Sequence, residues 1–306
     1  MRYRPAVSTP SAEATSAPRT AGPCGLWSAI ASLLRLSNQS GTLLLLLPTW
    51  WALVLASEGR PTPSLLAIFA AGAFLMRSAG VAMNDLADRS FDREVARTRT
   101  RPLASGRLSA AQAFGVIGAL LVAAATLLFF LPIEAARLSP VALLLAALYP
   151  LSKRVIAVPQ AILGLAFGWG VIMAWVAVRQ AIEWPAGLLY GATICWAIGY
   201  DTVYALQDVE DDRRIGVLSA ALFFGERAWL AVAVAFGGML LLLGLAGWLV
   251  GLGAVYYGFL AGLAGFLAQQ IRSVKRGVAP PQAFALFRQH VWVGWIVLLA
   301  TWAGFL

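Results

Sequence analysis

What most restricts this chain is a series of uninterrupted apolar tracts, of which 41–56, 120–131 and 231–253 are the plainest. With its flanks, each is long enough to cross the ~30 Å hydrocarbon core of a bilayer, which takes about 20 residues of helix. None alternates apolar with polar residues, as a strand of a closed barrel would. The α-helix is the other backbone that satisfies its own polar groups in lipid. Composition agrees with that reading. The 306 residues are 60% hydrophobic and 12% charged, against roughly 25% charged in a soluble domain. A cytosolic globule is excluded, and so is disorder over most of the length. The expectation is an all-α polytopic membrane protein.

Apolar runs between charged and Pro/Gly breaks define nine predicted spans: 40–57, 63–84, 111–131, 137–150, 159–178, 184–204, 228–248, 251–271 and 289–306. With nine spans the loops alternate sides, so the basic residues can be sorted by side. The N-terminal segment and the loops after spans two, four, six and eight hold 19 of the 23 Lys and Arg. The other side has Arg60, Arg137 and Arg179, and Arg77 falls inside span two. The positive-inside rule therefore predicts a cytoplasmic N-terminus and cytoplasmic even-numbered loops. A net charge of +9 then reports membrane orientation rather than a nucleic-acid partner.

Residues 1–25 are rich in Pro, Ala, Ser and Thr and have no apolar signal-peptide core. They are expected to form a disordered cytoplasmic tail ahead of one membrane domain at 26–306. The loops are too short to fold alone, and nothing in them indicates an obligate protein partner. Cys24 and Cys195 are too few for a disulfide framework or a thiolate metal cluster.

The acidic residues are placed more tellingly. Of 14, nine fall in two windows: Asp85, Asp88, Asp92 and Glu94, then Asp201, Asp208, Glu210, Asp211 and Asp212. Each window lies where a predicted span runs out into a cytoplasmic loop. Asn84, Asp88 and Asp92 recur every four residues, which on a helix aligns an amide and two carboxylates on one face. Asp208 and Asp212 repeat the spacing, with Tyr204 and Asp201 one and two turns deeper. Carboxylates four apart repel, and the macrodipole disfavours them at helix C-termini. Two such arrangements on one membrane face make sense around a cation. Oxygen donors without nearby His or Cys point to Mg2+, which commonly bridges to phosphate oxygens. The arginine-rich loop beside the acids suggests an anionic ligand, and a diphosphate fits.

Segment 77–106, from Arg77 through the Asn84-Asp85 pair to Gly106, resembles the first signature of the UbiA superfamily of intramembrane aromatic prenyltransferases. Segment 199–212 resembles the second. Tyr149-Pro150, Lys153-Arg154, Pro159-Gln160 and the 41–51 stretch ending in Trp50-Trp51 are similar to the 4-hydroxybenzoate polyprenyltransferase branch. The resemblance runs from about residue 35 to the end. It implies nine helices around a central cavity, with cytoplasmic loops as a cap and a side open to lipid.

It also implies roles. Asn84, Asp88 and Asp92 would hold one Mg2+, and Asp208 and Asp212 another. A polyprenyl diphosphate would be chelated between them, with Arg77 or Lys153 on the diphosphate. Arg154 would bind the carboxylate of the aromatic acid, and Asp201 and Tyr204 would position or accept the phenol proton. The implied reaction joins the prenyl group to the carbon ortho to the hydroxyl of 4-hydroxybenzoate, a step of ubiquinone biosynthesis in a bacterial inner membrane. A different acceptor is the alternative within the family, and a cation-coupled transporter the alternative outside it. Transport sites favour the bilayer midplane and inverted repeats, whereas these acids gather at one face without a repeat.

Two stretches depart from the family pattern. Where it has Arg-x-Asp-Lys/Arg-Pro before span one, this chain reads Arg35-Leu36-Ser37-Asn38-Gln39; where it has Lys-Ser-Thr after the second signature, this chain reads Leu218-Ser219-Ala220. His290, the sole histidine, is expected at the membrane interface. Gly164, Gly168 and Gly170 are expected to admit close helix contact.

Overall fold

The computed structural model describes residues 23–95, 97–152 and 154–306, so most of the predicted tail and Lys153 lie outside the described residues. Among the described residues there is no strand. In chain order the helices are α1 (Pro23–Leu33), α2 (Ser40–Ala56), α3 (Pro63–Ala87), α4 (Arg89–Asp92), α5 (Ala110–Leu127), α6 (Ile133–Ala136) and α7 (Ser139–Ser152). There follow α8 (Gln160–Arg179), α9 (Trp184–Ala205), α10 (Val209–Ile215), α11 (Ala220–Phe224), α12 (Ala228–Val250), α13 (Ala254–Arg276) and α14 (Pro280–Ala303).

Among the described residues, seven helical stretches are long and apolar enough to cross a membrane: Pro63–Ala87, Ala110–Phe130, Ile133–Ser152, Gln160–Arg179, Ala220–Val250, Ala254–Arg276 and Pro280–Ala303. The helix α2 is apolar but has 17 residues, and α9 carries Asp201, Thr202 and Tyr204 in its last turns.

Local chemistry explains where the helices begin and end. Proline stands at the first positions of α3, α9 and α14, where its missing N–H has no intrahelical partner to lose. Ser109 and Gln112 form a reciprocal capping box on α5. Gly251 closes α12 with φ 78°, a left-handed conformation in which glycine carries no Cβ penalty. The last predicted span was expected at 289, after Arg288, but α14 begins at Pro280. The charge at 288 does not break the helix because the opening turns of α14 pack against protein. One residue past Arg288, Gln270 Nε2 donates to Gln289 Oε1 at 2.8 Å.

The core is built on α9, which packs against α12, α8 and α14, while α2 packs against α8, α14 and α3. Small residues set the spacing: a Cβ on Gly164 would lie 3.0 Å from the Ile194 backbone, so α8 and α9 approach as closely as expected. At the centre, Trp51 and Trp196 are in ring contact at 5.1 Å, and Trp196 Nε1 donates to His290 Nδ1 at 3.0 Å. His290 is fully buried and also meets Tyr200 and Phe236. It is a core residue, not the interfacial one expected, because Trp196 supplies the polar partner that a buried imidazole needs. A second apolar cluster joins α1, α3 and α5, leaving much of α5 and α7 facing outward.

The two ends of the bundle differ in chemistry. One gathers Glu58, Arg60, Arg179, Glu183, Trp184 and Trp302. The other gathers the loops after α3, α7 and α9, tied by Arg214 Nη2 to Glu94 O at 3.0 Å and Arg154 Nη2 to Ala87 O at 2.9 Å.

Candidate active site

A cavity of about 620 Å3 opens at that second end. Its deep walls are apolar, with Leu44, Phe69, Leu128, Leu163 and Met173 among the lining residues. Its polar lining includes Arg35, Arg77, Asn84, Asp85, Arg101, Tyr149, Tyr200, Asp201 and Tyr204. Of the residues singled out in the sequence, Arg77, Asn84, Asp201 and Tyr204 therefore line one space.

The first acid motif sits where α3 gives way to α4. Asn84 Nδ2 donates to Asp88 Oδ2 at 3.1 Å, so these two share a face as their spacing predicted. The helix is not continuous through the motif: Asp88 ends α3 with φ −90° and ψ 5° and at once opens α4. Asp92 is largely buried and accepts from Arg101 Nη1 through both oxygens, at 3.0 and 2.9 Å. Burial pushes the Asp92 carboxyl above the ordinary range, opposed by Arg101.

The second motif also bends. The helix α9 ends at Ala205; Asp208 is the N-cap of α10 and Asp212 lies in its first turn. These two carboxylates thus sit at a helix N-terminus, where the dipole favours them, rather than at the C-terminus expected from the sequence. Asp208 is held by Arg97 through Nε and Nη2, at 3.1 and 2.7 Å. Burial raises its carboxyl too, with Arg97 opposing. Arg97 Nη1 also reaches the Tyr204 hydroxyl at 3.4 Å. The arginine-rich loop after α4 is thereby bound to both acid motifs.

The sequence reading missed four contributors. Asp85 is 1% exposed and accepts from Arg35 Nη2 at 2.8 and 3.0 Å and from Arg101 Nη1 at 3.1 Å. Asp85 is off the four-residue register of its window, and Arg35 stands in a stretch noted only for what it lacks. Arg97 and Arg101 were visible as a basic loop, and their own four-residue spacing was the available signal. The departure at 218–220 is accommodated locally: Ser219 Oγ caps Leu222 N and the Ala220 N–H donates to Gln160 Oε1.

Arg77 is held in a cradle. A Cβ on Gly41 would come within 2.6 Å of its Nε and Nη2, and the Nε is buried with no hydrogen-bond partner among the described residues. Arg154 is elsewhere. It caps the end of α3 through Ala87 O and lies 5.4 Å over the Phe91 ring, and it does not line the cavity. Among the described residues, no three His, Cys, Asp or Glu side chains converge on a metal position. The donors around the cavity mouth are nonetheless amide and carboxylate oxygens, the set that suits Mg2+.

The UbiA prenyltransferase family model matches residues 45–294. The chain belongs to that family. Among members of known name, the 4-hydroxybenzoate octaprenyltransferase of Polynucleobacter asymbioticus is 44% identical over 90% of this chain and 95% of its own. The protein of that name from Tolumonas auensis is 45% identical over 89% of this chain and 94% of its own. The fold is shared with a UbiA homolog from Aeropyrum pernix K1 solved in its apo form, with TM-score 0.75 at 26% identity over 86% of this chain and 97% of that one. It is shared as well with a UbiA homolog from Archaeoglobus fulgidus solved with DMAPP and Mg2+. That likeness has TM-score 0.66 at 17% identity, over 89% of this chain and 99% of that one. This UbiA chain is an aromatic prenyltransferase and an integral membrane protein.

Proposed function

We propose that the protein transfers a polyprenyl group from its diphosphate to the ring carbon ortho to the hydroxyl of 4-hydroxybenzoate, as a Mg2+-dependent step of ubiquinone biosynthesis. The observation that carries this reading is the cavity: a largely apolar lining that also holds the cationic and acidic side chains Arg35, Arg77, Asp85, Arg101 and Asp201. A prenyl diphosphate has the same division, an apolar tail and an anionic head. The relatives named for this reaction match along nearly the whole chain.

Asn84, Asp88 and Asp92 would hold one Mg2+, and Asp208 and Asp212 the other. Bound there, Mg2+ supplies the positive charge that stabilises the leaving diphosphate. Arg77 and Lys153 are assigned to the diphosphate. The apolar walls keep water from the allylic cation left behind when the C–O bond breaks. The aromatic ring attacks that cation, so no covalent enzyme intermediate is required. Tyr204 would orient the acceptor's hydroxyl and the Asp201 carboxylate would receive its proton; the proton on the attacked ortho carbon then passes to the ring oxygen as aromaticity is restored, so that the transfer releases diphosphate and one proton. Arg154 is assigned to the acceptor's carboxylate, from a position at the end of α3 beside Phe91.

For the membrane arrangement, we count α2 and α9 with the seven apolar stretches, giving nine spans. The N-terminal tail (1–25) and the loops after α3, α7, α9 and α13 are placed in the cytoplasm of a bacterial cell as the cap, ahead of and within a single membrane domain (26–306). The excess of Lys and Arg at that end supports this orientation.

The test is prenyl transfer in membranes expressing the protein, supplied with labelled 4-hydroxybenzoate, geranyl diphosphate and Mg2+. Product that disappears with EDTA and with Asp88→Ala is the expected result. Diphosphate release that depends on Asp88, without labelled product, would keep the family chemistry and move the acceptor. Loss of neither substrate refutes the assignment.

A further inference from the structure

We propose that Arg97 and Arg101 are exchangeable counter-ions: each holds a carboxylate of one acid motif, and each passes to the donor's phosphate oxygens when a divalent cation takes that carboxylate. The proposal rests on the prenyltransferase reading above and assigns these two arginines a part in binding the donor.

The loop after α4 is wound so that the two side chains act together. Thr98 N and Arg99 N both bond to Val95 O, Arg101 N bonds to Thr98 O, and Ser105 N bonds to Arg101 O, all at 2.9–3.0 Å. Thr98 Oγ1 fixes the loop to Asp92 O at 3.0 Å, and Arg93 Nε closes it through Ala104 O at 3.1 Å. From this scaffold Arg97 reaches α10 and Arg101 reaches α3 and α4. The loop is a bridge between the two motifs, and its two ends are salt bridges.

Both oxygens of Asp208 are engaged by Arg97, and both oxygens of Asp92 by Arg101. A divalent cation ligated by the same oxygens would stand a few ångströms from each guanidinium. Like charges at that distance repel, more strongly at the better-buried Arg101–Asp92 pair than at Arg97, whose side chain is 44% exposed, so cation and arginine compete for each carboxylate. A displaced guanidinium has a destination. Its planar fork matches phosphate oxygens, and Arg101 already lines the cavity mouth. Asp85 can release Arg101 because Arg35 remains on it at 2.8 and 3.0 Å. Exchange of this kind couples the two ligands: the cation frees the arginines for the donor, and the donor, by holding the arginines, clears the carboxylates for the cation.

The experiment uses the full chain in detergent and two binding readouts. Mn2+ alone is titrated and followed by loss of the free-ion EPR signal. Labelled geranyl diphosphate is titrated at saturating Mg2+. Arg97→Gln and Arg101→Gln are expected to bind Mn2+ alone about threefold to tenfold more tightly, and geranyl diphosphate about tenfold more weakly. Arg97→Lys and Arg101→Lys, which keep the charge without the fork, are expected to fall between wild type and the Gln variants on both readouts. Opposite signs are the signature, since an arginine that merely supports the fold would weaken both when removed. Weakening of both, or an unchanged Mn2+ affinity in both Gln variants, overturns the exchange. So does Mn2+ binding that Asp212→Asn leaves unaltered, because the ion would then lie elsewhere. If wild type takes up neither Mn2+ nor geranyl diphosphate, the prenyltransferase reading fails first, and the exchange falls with it.

Discussion

A single methyl group tests the role of Arg77 without replacing the arginine. In Gly41→Ala the new Cβ would meet Arg77 Nε and Nη2 at 2.6 Å and Cζ at 2.9 Å. Ordinary contact needs about 3.5 Å, so the guanidinium must retreat by roughly 1 Å. The fold should tolerate this, because the displaced group is the end of a flexible side chain. Alanine in place of glycine also favours the first turn of α2 by about 0.5–1 kcal/mol. Stability is therefore expected to stay within about 1 kcal/mol of wild type. Transfer is expected to suffer far more, since a group misplaced by about 1 Å can cost about a hundredfold in rate, or 2.7 kcal/mol of barrier. The assay is kcat/KM for geranyl diphosphate and for 4-hydroxybenzoate, with melting curves on the same samples. The double variant with Arg77→Ala supplies the control: once the guanidinium is gone, the methyl should add less than about threefold. Wild-type kcat/KM in Gly41→Ala, or an equal loss with and without Arg77, would refute the reasoning.

Other residues give separate outcomes. Asp85→Asn leaves Arg35 and Arg101 without their shared counter-ion. A fully buried broken pair costs about 3–5 kcal/mol, and partial exposure of both arginines reduces that to roughly 2. The apparent melting temperature should fall by about 4–8 °C, and a change under about 2 °C would contradict the estimate. Trp196→Phe removes the indole N–H from His290 Nδ1, and His290 Nε2 already lacks a partner among the described residues. Thermal melting should register about 1–3 kcal/mol of loss, with much of it recovered when His290→Leu removes the orphaned imidazole as well. The acid sensitivity of metal binding has a definite sign. Burial raises the Asp92 and Asp208 carboxyls above the ordinary 3.8, so on falling pH they take up protons before exposed carboxylates do. Protonation removes the charge that attracts the cation, and Mn2+ affinity should decline with a midpoint above 3.8. A midpoint at or below that value would count against these two as ligands.

Much of the helical framework was legible because membrane helices are written in one dimension: length, apolarity and the breaks between runs. The tract at 228–248 and α12 differ by two residues at one end. The rule failed where protein, rather than lipid, surrounds a helix. Arg288, Gln289 and His290 look like the end of a span, yet α14 runs through them from Pro280. Gln289 meets Gln270, and His290 meets Trp196 from the middle of α9. Hydropathy counts transfer into hydrocarbon, and it carries no record of a hydrogen-bond partner that arrives from 94 residues away.

The acid motifs were legible by spacing for a similar reason, and their electrostatics were not. Periodicity located Asn84, Asp88, Asp208 and Asp212, since a repeat of four means neighbours on any helix. It could not show that α3 ends at Ala87 and α9 at Ala205, and this changes which end of a helix each carboxylate occupies. Nor could it pair Arg35 with Asp85 or Arg97 with Asp208, residues 50 and 111 positions apart. The sign of the local field at the cavity mouth follows from those long-range pairs. Counted along the sequence, the windows are two blocks of negative charge. In space, Asp85 and Asp92 share Arg101, Asp208 has Arg97, and the guanidinium in the cradle at Gly41 makes no salt bridge among the described residues. A cationic side chain buried away from water is stabilised by a nearby anion, and under the proposed function the donor's diphosphate would bring one. Under the proposed function the donor's diphosphate would complete the charge balance among these side chains, and its tail would fill the apolar part of the cavity.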